Sequence, residues 1–131
     1  MSVVELLKKS TEGLLMMSES DHPFEVFLWE GQVQEPLTSE KLLQLTHHSL
    51  DSPVESVDID YFFRNVAQEK DWHDDNQRLM VKRFQSLVEI LKTNLNELQV
   101  YRVGAINIDV YIVGKTNSSD LAGVTTKLVE T

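Results

Sequence analysis

The hydrophobic period changes several times along this chain, and each change predicts an element. Between Val3 and Met17 the apolar residues Val3, Val4, Leu6, Leu7, Leu14 and Leu15 share one helical stripe, with Lys8, Lys9 and Glu12 opposite. That spacing predicts a first helix with one buried face. After Pro23 the pattern becomes two-residue: Phe24, Val26 and Leu28 alternate with Glu25, Phe27 and Trp29, and both sets are largely apolar. A strand of this kind needs cover on both sides. Thr38 or Ser39 suits the cap of a short helix through Leu45, and Asp58 or Asp60 the cap of another around Tyr61 to Val66. The longest predicted helix runs from about Asp75 to Leu98, because Met80, Phe84, Leu87, Val88, Leu91, Leu95 and Leu98 recur at helical spacing while Lys82, Arg83, Glu89, Lys92 and Asn96 stay off the stripe. Val100 to Val103, a turn at Gly104-Ala105, and the alternation of Ile106, Ile108, Val110 and Ile112 predict a hairpin. A polar turn at residues 117–120 leads to a last strand from Leu121 to Thr131.

Helix, strand, helices, long helix and three strands that pair antiparallel make an α+β protein. Its expected sheet is mostly antiparallel with about four strands, and the two-sided apolarity of Phe24 to Trp29 favours helices on both faces, a three-layer α/β/α sandwich. A chain of 131 residues with 5 Gly, 3 Pro and no low-complexity stretch is expected to form one domain spanning residues 1–131.

Charge narrows the range of partners. The chain carries 21 acids against 12 Lys plus Arg, a formal net charge of −9. Nearly all of the imbalance lies in residues 21–75, with 13 acids and three bases, whereas residues 76–131 hold five acids and seven bases. Nucleic acid and anionic membranes are poor partners for such a surface, and a basic protein is a good one. No apolar run approaches the roughly 20 residues of a membrane span, and Met1-Ser2-Val3-Val4-Glu5 lacks the features of a signal peptide, so a soluble cytoplasmic protein is expected. The absence of cysteine removes disulfides, thiolate zinc sites and thiol nucleophiles.

Candidate chemistry is sparse. His47-His48, and His73 beside Asp74 and Asp75, fit no metal-ligand spacing and read as solvated histidines. Asp58-Ile59-Asp60 offers two carboxylates to a Mg²⁺ ion, but helix capping explains it more simply. No phosphate loop or nucleophile elbow is present. Glu19, in Met17-Ser18-Glu19-Ser20-Asp21-His22, sits in a predicted turn between a helix and a strand, where a loop residue projects from a rigid scaffold. The chain ends at Thr131 directly after a predicted strand, which could hold its α-carboxylate in a defined place.

Several segments together carry a resemblance: Gly13-Leu14-Leu15, Met17-Ser18-Glu19-Ser20, the run from Pro23 to Gly31, Val57-Asp58-Ile59-Asp60 followed by Phe62-Phe63, Asp71-Trp72, Gln99-Val100-Tyr101-Arg102, Asp109-Val110-Tyr111, and the ending from Leu121-Ala122-Gly123 through Val129-Glu130-Thr131. Over almost its whole length the sequence resembles the nuclease A inhibitor family. The resemblance implies a small acidic α/β/α sandwich, likened to the plant PR-1 fold, that blocks a Mg²⁺-dependent, sugar-non-specific DNA/RNA endonuclease. It implies that Glu19 reaches the nuclease's catalytic metal, that Thr131 enters the same active site, and that Trp72 lies near the contact surface. Glu25, Glu30, Asp71, Asp74 and Asp75, if on the same face, are the accompanying acids expected to pair with substrate-binding arginines, and Glu130 is a further partner-binding residue, with Trp72 as apolar anchor and Trp29 in the core. Residues 73–76 and the loop from Gly31 to Ser39 depart most from the family pattern.

The leading expectation is therefore a monomer that inhibits a basic, Mg²⁺-bearing nuclease one-to-one, with no cofactor or metal of its own and no affinity for nucleic acid or membrane. The alternative is an acidic escort for a basic secreted protein, gripping an extended client through an apolar groove. An enzyme built on Asp58 and Asp60 ranks last.

Overall fold

A computed structural model describes residues 2–17, 19–31 and 37–130. Helix α1 (Val3–Thr11) starts where Ser2 accepts a hydrogen bond from the Glu5 amide, and it stops well short of the predicted Met17. Local chemistry ends it. The Thr11 hydroxyl donates back to the Leu7 carbonyl at 2.8 Å, Gly13 has a φ of +70°, and Arg83 donates to the Ser10 and Glu12 carbonyls that the helix leaves unpaired. The chain then forms a two-stranded ribbon, β1 (Leu15–Met17) and β2 (Asp21–Pro23), with Met17 opposite Asp21. Neither strand was expected.

The main sheet contains β3 (Glu25–Trp29), β4 (Val54–Val57), β5 (Asn96–Val103), β6 (Asn107–Lys115) and β7 (Leu121–Val129). Its order is β3-β7-β6-β5-β4 and every neighbouring pair is antiparallel. The expected α+β class and antiparallel sheet hold, with five strands instead of about four. The β5–β6 hairpin turns at Gly104, whose φ is +111° and where an added Cβ lies 2.4 Å from the Asn107 carbonyl oxygen, so only glycine fits the turn.

Helix α2 (Ser39–Leu45) is capped by the Thr38 side chain. Helix α3 (Ile59–Phe62) is shorter than expected, with Asp58 accepting from the Asp60 and Tyr61 amides. Helix α4 (Asp75–Asn94) begins in a reciprocal capping box between Asp74 and Gln77. It ends at Asn94 rather than Leu98, because Leu95 is already extended and packs where Gly114 has no side chain. None of these helices is long and apolar enough to cross a membrane.

Strand alternation divides the core. Val100, Ile108, Val110, Ile112, Val124 and Leu128 point to one face, where they bury with Phe24, with Leu7 of α1 and with Phe84, Leu87 and Leu91 of α4. The odd-numbered side chains point to the other face, where Val103 buries with Leu42 and Leu43 of α2, flanked by Trp29, Tyr101 and Tyr111. On β3, Phe27 and Trp29 stack on each other at 4.3 Å, with Trp29 partly buried against the second cluster, and Val26 packs on the first, whereas Leu28 stays exposed.

Candidate functional site

The β1–β2 ribbon carries Glu19 at its tip, between Met17 and Asp21 rather than between a helix and a strand. Its backbone is tied down: the Glu19 amide donates to the Val129 carbonyl at 3.4 Å, joining the tip to the end of β7. One residue further on, the Glu130 amide donates to the Ile106 carbonyl at 2.9 Å, which carries the β6–β7 pairing one position past Val129, beside the β5–β6 turn. These bonds gather Glu19 and Glu130 around a concavity of about 510 Å³, floored by Val57, Leu128 and Val129 and walled by Tyr61, Phe62 and Arg64. Glu55 and Arg102 complete its rim. Thr131, which follows Glu130, lies outside the described residues.

A second hollow of about 560 Å³ adjoins the first, sharing Asn65 and Val66 as a common wall. Trp72 and Asp74 line it, with Met80, Val81 and Phe84 as its apolar base. Trp72 is 71% exposed and meets the His73 ring edge-on at 4.5 Å. A large aromatic surface left in water beside apolar lining is suited to contact another molecule. Asp74 already accepts the Gln77 amide at 2.8 Å as the cap of α4, and Asp75 is fully exposed at the start of that helix.

Other predicted residues fall elsewhere. Glu25 pairs with Thr125 on β7 and lies in a separate hollow with His22 and Lys127, on the face of the sheet opposite the Glu19 concavity. Glu30 and Asp71 are exposed, and most of the loop from Gly31 to Ser39 lies outside the described residues. Asp58 is a helix cap, and Asp60 binds the Lys92 ammonium at 2.7 Å. Among the described residues no three His, Asp or Glu side chains are grouped to hold a metal. His48 departs from its expected solvated state: its Nε2 bonds Asp109 at 2.7 Å and its Nδ1 bonds Thr46, pinning α2 to the sheet.

A known family matches this sequence over residues 1–131, the family described as nuclease A inhibitor-like protein (NuiA). The chain belongs to that family. No curated protein matches it. As a nuclease A inhibitor-like protein it belongs among inhibitors rather than enzymes, and membership implies a nuclease as partner.

In this family member, sequence reasoning missed the cationic side of the site. Arg102 contacts Glu130 through Nη2 at 2.5 Å and lies 3.9 Å from Glu55, while Arg64 stacks 3.7 Å above the Tyr61 ring. The concavity therefore mixes carboxylates with guanidinium groups. The signal available was the short apolar-polar run Val54-Glu55-Ser56-Val57 between Pro53 and Asp58, which forms β4 and brings Glu55 opposite Arg102.

Proposed function

We propose that this protein inhibits a Mg²⁺-dependent, sugar-non-specific DNA/RNA endonuclease by presenting Glu19 and the α-carboxylate of Thr131 to its catalytic metal. The observation that carries the reading is the bond from the Glu19 amide to the Val129 carbonyl, which holds the hairpin tip beside the segment leading to Thr131. A glutamate and a chain-end carboxylate presented together suit a hard cation that prefers oxygen ligands. In the complex Glu19 offers an oxygen to the ion or its water shell, displacing the scissile phosphate or the attacking water, and Thr131 supplies the second anion. Trp72, exposed on the adjoining hollow, is the apolar anchor, with Asp74 and Asp75 facing the arginines that otherwise hold the phosphodiester backbone. Glu130 supports the chain end. Glu25 and Glu30 contribute through the long-range field, because Glu25 lies on the other face.

The same reading takes the fold as a three-layer α/β/α sandwich of PR-1-like type, supported by helices packed on both faces of the sheet. It takes the inhibitor as a cytoplasmic monomer that binds the nuclease one-to-one.

Titrating a non-specific endonuclease in a plasmid-degradation assay tests the mechanism. Glu19→Gln, and separately a short extension after Thr131, should each raise the inhibitory concentration at least about tenfold while leaving the melting temperature unchanged, as expected for losing a charge-assisted contact. Trp72→Ala should cost about 2 kcal/mol of binding. Undiminished inhibition by both the Glu19 variant and the extended chain rejects the mechanism.

A further inference from the structure

Among the described residues two polar side chains are buried in the core, Thr11 and Thr126. The Thr11 hydroxyl serves its own helix, donating to the Leu7 carbonyl one turn back. Thr126 reaches further. It lies between Val124 and Leu128 in the alternation of β7, on the face that packs against α1 and α4, and is 3% exposed. Its hydroxyl donates to the Pro23 carbonyl at 2.9 Å, across 103 residues of chain, with the His22 carbonyl at 3.4 Å. Valine has the same branched shape and no polar group to bury, so the hydroxyl is explained by its partner rather than by packing.

That partner stands where the chain passes from one sheet to the other. Pro23 still pairs with Leu15 in the ribbon, whereas Glu25 already pairs with Thr125 of β7. A ribbon of two three-residue strands with a ladder of its own is marginal alone, so its orientation depends on what ties it to the larger sheet. Hydrogen bonds tie it to β7 at both ends. The Thr126 hydroxyl holds the base, and the Val129 carbonyl accepts the Glu19 amide at the tip. At 3.4 Å the tip bond is near the limit of a hydrogen bond, and the shorter bond at the base is the firmer of the two. The two holds are three residues apart on one strand, about 10 Å at the usual rise, and together they set the angle at which the ribbon lies along β7.

We propose that Thr126 is a positioning residue for inhibition: its hydroxyl fixes the base of the β1–β2 ribbon on β7 and thereby the place of Glu19 at the tip. Buried as it is, Thr126 acts through Glu19 and not by touching the nuclease. The role rests on the reading of Glu19 given above, as the group offered to the nuclease's metal.

Full-length isotope-labelled protein provides the test, with Thr126→Val, Thr126→Ser, Glu19→Gln and the Thr126→Val/Glu19→Gln double variant. In the free protein, the backbone amide of Glu19 should lose order by heteronuclear NOE in Thr126→Val, while the amides of Val110 and Val124 keep theirs. Thr126→Ser, which retains the hydroxyl, should keep the order at Glu19. Thr126→Val should weaken inhibition of a Mg²⁺-dependent non-specific endonuclease roughly tenfold, and Thr126→Ser should recover most of that loss. On the Glu19→Gln background the valine substitution should cost less than about twofold more, because the group it positions is already altered. Unchanged order at Glu19 in Thr126→Val, a serine variant no better than the valine one, or losses that multiply in the double variant overturns the role. Absence of inhibition by the unaltered protein instead overturns the functional reading, and the order at Glu19 tells the two failures apart because it needs no nuclease.

Discussion

Two tyrosines couple the α2 face of the sheet to alkaline pH. Burial raises the phenol pKa of Tyr101 above 10.0, and burial raises that of Tyr111 as well, with the Asp109 carboxylate adding to the rise and a hydrogen bond with Thr46 opposing it. Tyr111 stands beside the His48 ring, edge-on at 5.9 Å, and His48 links Thr46 to Asp109. Because the folded state favours the neutral phenol, this contribution to stability is complete below the unfolded-state pKa and is lost as pH rises through the raised value. Melting temperature should therefore fall above about pH 10, and Tyr111→Phe, which cannot ionise, should flatten that fall. A melting series from neutral to alkaline pH decides it: an identical alkaline slope in the variant excludes Tyr111 as a source. None of this was legible from the residues alone, since His48 read as solvated until the left-handed turn at His47, with φ of 60°, directed the chain toward Asp109.

At the scale of elements, Asp74 has two roles that substitution can separate. It caps α4, and it lines the hollow beside Trp72. Asparagine caps as well as aspartate, so Asp74→Asn should leave the melting temperature in place and slow association with the nuclease, whereas Asp74→Ala should also cost about 1 kcal/mol of stability. Equal melting temperatures for the two variants, measured by calorimetry, contradict the capping contribution. The same helix marks how far the sequence could be read. Its start, its buried stripe and the core of β3, β6 and β7 were legible because each repeats its period over enough residues to reveal a face. The ribbon strands and β4 were not, because three or four residues hold too little periodicity and their pairing is decided by partners far along the chain. Helices α1 and α4 were over-extended for a related reason: Leu14, Leu15, Leu95 and Leu98 remain apolar, but their turns are ended by Gly13, by Arg83 reaching across from α4, and by the space at Gly114. Glu19, Thr131 and Trp72 were singled out by family likeness, while the Arg102–Glu55 contact depended on cross-strand register that local pattern does not carry.

For the molecule as a whole, the net charge of −9 and the chemistry of the concavity answer different questions. The acidic surplus of residues 21–75 is distributed over both faces, from Glu25 and Glu30 to Asp71, Asp74 and Asp75, and acts at long range. The concavity mixes Glu19, Glu55 and Glu130 with Arg64 and Arg102, so its selectivity depends on where each carboxylate points rather than on summed charge. Diffuse charge raises the rate of encounter with a basic partner, whereas desolvated contacts in the docked complex govern its lifetime. Raising ionic strength shortens the screening length to about 8 Å at 0.15 M, which weakens the first effect far more than the second. The association rate with a basic endonuclease should consequently drop about tenfold or more between low and moderate salt, with a much smaller change in dissociation. Glu25→Gln should reduce only the low-salt association rate, and Glu19→Gln should speed dissociation at every salt concentration. Surface-binding kinetics at several salt concentrations separate the two contributions, and an association rate indifferent to salt contradicts steering by the acidic surface.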